Sequence, residues 1–195
     1  MRTGFRFALV SAVLALMVAG CATAPPKSAG GGGERREPLV FAVEKVEVVD
    51  NSSLPAGTTF ITKRRSRELA GRLAGMLARG IEAGGGPGTL RVVIERAVLL
   101  ERPVETRSGI SGLFTRETEA LLEGSVAVRL SVLDDSGFQR AFARVKVERQ
   151  RAVPEGTSVA SRDALARGLI EDLLDQTRDA LERSVEDNLA AFLVI

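Results

Sequence analysis

The sequence predicts a two-layer α+β domain of order β-α-β-β-β-α, with a four-stranded, mostly antiparallel sheet carrying two helices on one face. Three observations lead there. Leu122, Gly124, Val126, Val128, Leu130 and Val132 alternate with Ser125, Arg129 and Ser131, the period of two that a strand with one buried face requires. Two other stretches, around Leu69–Ile81 and Leu165–Phe192, space their apolar side chains three or four apart, the helical period. Asp134-Asp135-Ser136-Gly137 supplies turn chemistry between two alternating runs and so predicts a hairpin.

The elements follow in order. Val40 to Val49 reads as the first strand, with a bulge near Glu44-Lys45, because Phe41 and Val43 share one face whereas Val46 and Val48 share the other. Asp50-Asn51-Ser52-Ser53 and Pro55-Ala56-Gly57 end it. A helix is expected from Lys63 to Ala83, with Leu69, Leu73, Met76, Leu77 and Ile81 on its apolar face. Gly84 to Gly88 stops it; no Lys-Ser/Thr pair follows, so this glycine run is a turn and not a phosphate loop. Leu90 to Leu100, Glu119 to Leu133 and Phe138 to Val147 are the remaining strands, the last with Ala141, Ala143, Val145 and Val147 toward the core. A closing helix runs from Ser161 to Phe192, and the sequence shows no internal repeat on this reading.

The organisation along the chain is equally legible. Residues 1–20 carry Arg2 and Arg6, then 13 apolar-rich residues from Phe7 to Ala19, too short to span a bilayer and suited to a signal peptide. Residues 21–38 begin with the only cysteine and form a tether. Pro25-Pro26, Gly30 to Gly33 and the charged Glu34-Arg35-Arg36-Glu37 cannot bury enough to order themselves. As a coil that tether holds the domain roughly 20 Å from its start, with a stretched reach of about 55 Å. Residues 39–195 form one domain, and with a single cysteine it must be stabilised by its core and not by disulfides.

Composition excludes much. The net charge of +2 belongs to Arg2 and Arg6, and without them 25 basic side chains face 25 acidic ones, so nothing points to nucleic acid. The chain has no histidine, which removes the usual general base and metal ligand together, and its one thiol lies at the targeting boundary. No catalytic residue, no metal and no cofactor is expected, and the domain reads as non-enzymatic.

Two features are candidates for binding. The connection Glu101 to Arg116 is long for a link between strands, and it carries Ile110, Leu113 and Phe114 on a glycine-loosened backbone. These three either dock onto a partner or lipid interface, or fold back over the core. Arg140, Arg144 and Lys146 form an outward row, followed by Arg149 and Arg151; they either contact anionic headgroups or merely keep an edge strand from pairing. The C-terminal Phe192-Leu193-Val194-Ile195 is expected to pack against a sheet edge.

Val18-Ala19-Gly20-Cys21 resembles the lipobox of bacterial lipoproteins, which implies cleavage between Gly20 and Cys21 and a covalent lipid on the Cys21 sulfur. Ala22 is similar to the residue after the cysteine in lipoproteins sorted to the outer membrane, which implies a periplasm-facing, lipid-anchored domain. Across Val40 to Val185 the chain also resembles the auxiliary lipoproteins of ABC-type intermembrane transport systems, the Pqi and MCE group. The likeness lies in the helix Glu68 to Ile81, the strand Leu90 to Ile94, the run Leu122-Glu123-Gly124 to Gly137 and the closing helix. It implies a membrane anchor, a protein partner in an envelope transport complex and an apolar cargo. A scaffolding lipoprotein and a stand-alone binder of apolar ligands remain alternatives.

Overall fold

A computed structural model describes residues 37–104 and 118–194. Among the described residues six strands and two helices follow one another: β1 Leu39–Phe41, β2 Lys45–Asp50, α1 Phe60–Gly80, β3 Ile81–Ala83, β4 Thr89–Pro103, β5 Thr118–Leu133, β6 Gln139–Pro154 and α2 Val159–Leu189, closed by a 3-10 turn at Ala190–Phe192. The main sheet has the order β2-β4-β5-β6, with β2 and β4 parallel and the other neighbours antiparallel. α1 packs on β4 and β2, and α2 on β6 and β5, so the predicted architecture is the one observed.

The alternation of β5 decides which face is buried. Leu122, Val126, Val128, Leu130 and Val132 meet the helices together with Leu90, Val92, Ile94 and Leu99 of β4, and all are 3% exposed or less. Removing this apolar surface from water is the main favourable contribution to the fold. Against them lie Leu69, Leu73 and Leu77 of α1 and Leu169, Ile170, Leu173, Leu181, Val185 and Leu189 of α2. Ser66 ties α1 to the sheet, accepting from the Leu99 N–H at 3.0 Å and donating to the Leu99 carbonyl at 3.5 Å. Ser66→Ala would strand both backbone groups in a dry place, and urea unfolding should show a loss of about 1–3 kcal/mol.

The structure corrects three sequence expectations. The first strand is two strands and not one bulged strand. Phe41 accepts from the Val43 N–H, a tight turn at Ala42 that keeps both Phe41 and Val43 fully buried, and β1 leaves the main sheet to pair in parallel with β3. The first helix starts at Phe60 and ends at Gly80, and Ile81 turns extended at φ −135°, so Ile81 to Ala83, expected as the last turn of the helix, form β3 instead. β6 runs on to Pro154, seven residues past the expected end at Val147.

Phe192, Leu193 and Val194 pack as expected, while Ile195 lies outside the described residues: Val194 donates to Val40, Ala42 donates to Phe192, and Leu193 bridges Phe41, adding a third strip to the small β1-β3 sheet.

The chain also contains a repeat that the sequence reading missed. Pro55-Ala56-Gly57-Thr58-Thr59-Phe60 and Pro154-Glu155-Gly156-Thr157-Ser158-Val159 lie 99 positions apart, and each leads from a strand end into a helix. Both glycines adopt a left-handed φ, +75° and +72°, which side chains with a Cβ rarely accept. Thr58 and Thr157 each donate back to the proline carbonyl. Thr59 and Ser158 are the N-caps, accepting from the N–H of Thr62 at 3.3 Å and of Ser161 at 3.2 Å.

Candidate functional site

The residues proposed from sequence fall into three groups. Gly20 and Cys21 lie outside the described residues, as do Ile110, Leu113 and Phe114. Arg140, Arg144 and Lys146 are on β6, the edge strand of the main sheet, with side chains 66%, 60% and 62% exposed. Arg149 and Arg151 do not continue their row. The alternation carries them to the helix-covered face, where Arg151 bonds Asp172 of α2 at 2.5 Å and the Leu165 carbonyl at 3.5 Å.

The face of the sheet away from the helices is a lattice of ion pairs. Arg144 bonds Glu95 at 2.7 Å, Lys146 bonds Glu148 at 2.9 Å, and Arg102 bonds Glu123 at 2.8 Å. Glu47 is shared by Lys45 at 2.7 Å and Arg91 at 3.3 Å. Hydrogen bonding from Lys146 holds the Glu148 carboxyl below the usual range, and that from Lys45 does the same for Glu47. The Arg129 guanidinium lies 5.0 Å over the Phe142 ring. Exposed pairs of this kind add little to stability, because water and salt screen them. Their chemical consequence is greater, because every cation of the row already faces a carboxylate that an anionic headgroup would have to displace.

The opposite situation occurs where both helices begin. Arg64 and Arg72 of α1 reach Asp163 and Glu171 of α2, each pair 99 residues apart in sequence, so the helices run parallel and in step. At their shared start Arg65, 5% exposed, donates to Glu101 at 2.7 Å and to Asp163 at 2.9 Å. Arg162 donates to Glu101 at 2.7 Å and to Glu119 at 2.6 Å. Partial burial works against ionising Glu101, yet the hydrogen bonds from Arg65 and Arg162 outweigh it and hold its carboxyl below the usual range. Arg65 also lowers Asp163 through its hydrogen bond. The network clamps the end of β4 to both helices.

Beyond this clamp the surface turns apolar. Phe60 and Val159, the first residues of the two helices, are 76% and 77% exposed, and the register of the parallel helices places them level with each other. Ile61 and Val104 at the same end are also open to solvent. Sequence reasoning missed this pair, although the repeated Pro-x-Gly-Thr-Thr/Ser signature ahead of each residue could have found it. Among the described residues no group of His, Cys, Asp and Glu is placed to hold a metal, and no helix is long and apolar enough to cross a membrane.

No family model and no curated protein matches the chain. Solved structures do. A minor lipoprotein from Acinetobacter baumannii is similar at 15% identity and a TM-score of 0.40, covering 81% of this chain and 99% of that one. Rare lipoprotein B from Shewanella oneidensis is similar at 13% identity and a TM-score of 0.37, covering 73% of this chain and 94% of that one.

Proposed function

We propose that the chain is a non-enzymatic envelope lipoprotein whose domain binds a protein partner, as an auxiliary component of an ABC-type system that moves lipid between membranes. One observation carries the anchoring: a signal-like segment ends at Val18-Ala19-Gly20-Cys21, and a proline- and glycine-rich tether then leads to a packed domain. The thiol of Cys21 takes the acyl anchor, Ala22 favours the outer membrane, and the domain faces the periplasm. No enzyme chemistry is proposed, because the chain has no histidine and its only cysteine is used by the anchor.

The transport role rests on the resemblance in the order of elements and on a sheet face whose charges are mutually neutralised, which leaves the helix-start end as the surface free to bind. Cys21→Ser tests the anchor: the wild type should incorporate labelled palmitate and sediment with membranes, whereas the variant should do neither. An unlabelled wild type that stays soluble would overturn the reading. Co-purification of the acylated chain with a permease or substrate-binding component tests the transport part separately.

A further inference from the structure

We infer that the end of the domain bearing Phe60 and Val159 is a docking tip for a partner protein whose surface offers an apolar cleft rimmed by charges of both signs. Two large apolar side chains open two helices that run in step, each more than three-quarters exposed, at a helix position that any polar residue fills as well. Each is presented by the same proline-glycine turn and the same hydroxyl cap, so the display is built twice on rigid helix starts and not left to a loop.

The ring behind them identifies the class of partner. Arg64 and Arg162 face Asp163, Glu101 and Glu119, all partly open to water, and the buried Arg65 behind them completes one base for each acid. A bilayer rich in anionic lipid selects an excess of lysine and arginine. A balanced polar rim around an apolar centre is instead the anatomy of a protein interface.

The chain's route gives the direction. Leu39 pairs with Ile81, just past the last residue of α1, so the tether joins the domain at the far end of a 21-residue helix, about 30 Å from the tip. The tip is therefore at the opposite end of α1 from the place where the tether joins the domain. That the partner is met in the cell envelope rests on the anchoring proposed above; the apolar display and its balanced rim do not.

Photoreactive benzoylphenylalanine placed at position 60, at 159 and at the control position 138, in the full chain and in intact producing cells, tests the inference. Phe138 is 72% exposed in the β5–β6 turn, at the opposite end. Irradiation should join positions 60 and 159 to one and the same protein and leave position 138 without it. Ile61→Asp should lower the yield from position 159 about tenfold, the size of one lost central contact. The inference is overturned if the adducts are with lipid, with a second copy of the chain, with different proteins at the two positions, equally strong at 138, or absent. A fall in melting temperature of the 60 or 159 variants would also overturn it, since it would mean that those side chains are packed. Fractionating the same cells separates the two readings: a specific adduct on a chain that is not membrane-bound removes the anchor and keeps the tip.

Discussion

Gly124→Val should be the most damaging single substitution in the sheet, with a loss of about 3 kcal/mol or more in urea unfolding. Gly124 sits on the helix-facing side of β5, between Leu99 of β4 and Arg149 of β6. A Cβ there would overlap the end of the Leu173 side chain of α2, which is fully buried. Either Leu173 would have to swing aside against its packed neighbours, or α2 would have to lift off the sheet with Leu169 and Ile170. Leu173→Ala alone should cost about 2–5 kcal/mol, because it leaves a cavity that the packed neighbours close only in part. The double variant discriminates. If the glycine exists to admit Leu173, the valine methyls enter the space that the leucine vacates, and Gly124→Val with Leu173→Ala should lose clearly less than the sum of the singles. Additive losses would mean that the glycine answers to something else.

How much of this was readable beforehand depends on how many forces agreed at each position. On β5 the periodicity, the β-branched residues and the hairpin turn all pointed the same way, and its face assignment is the one observed. At the start of the domain they conflicted. Phe41 and Val43 are both fully buried, but in different ways, since a turn at Ala42 moves the chain from the small sheet to the large one. A slip in alternation is the same signal for a bulge and for a strand break, and only the partner strand tells them apart. β3 was hidden for a related reason: Ile81 continues the helical spacing of Leu73 and Leu77, while its burial comes from pairing beside Leu39.

The charged residues of β6 show the limit on the functional side. Arg140, Arg144 and Lys146 look like a basic row in sequence because their carboxylates, Asp134, Glu95 and Glu148, come from a turn, another strand and the next outward position. Arg149 and Arg151 extend the row only if the strand ends at Val147, and it runs on to Pro154. Phe60 and Val159 carried no periodic signal, being first residues of their helices. What marks them is local turn chemistry repeated at a long interval, which a search for apolar periods passes over.

Arg65→Met should be the second large effect, and its pH dependence is its signature. Methionine keeps most of the buried aliphatic volume but removes the hydrogen bonds to Glu101 and Asp163. Breaking a fully buried ion pair costs about 3–5 kcal/mol; these carboxylates keep some contact with water, and Arg162 and Arg64 still serve them, so about 2–3 kcal/mol at pH 7 is expected. Both carboxyls are held below their usual range in the folded state. Such groups favour folding while they are ionised, at pH values above their unfolded pKa of about 4, and that contribution fades as acid protonates them. Wild-type stability should therefore drop as the pH falls from about 5 toward 3, and the drop should be shallower in Arg65→Met. Below that window the two proteins should differ by little more than the side-chain packing. Glu101→Gln neutralises the acceptor that Arg65 and Arg162 share, so adding it to Arg65→Met should cost much less than it does in the wild type. A constant gap between wild type and Arg65→Met from pH 7 to 3 would mean that Arg65 acts through its aliphatic stem, and that the clamp between β4 and the two helices is held by packing and not by charge.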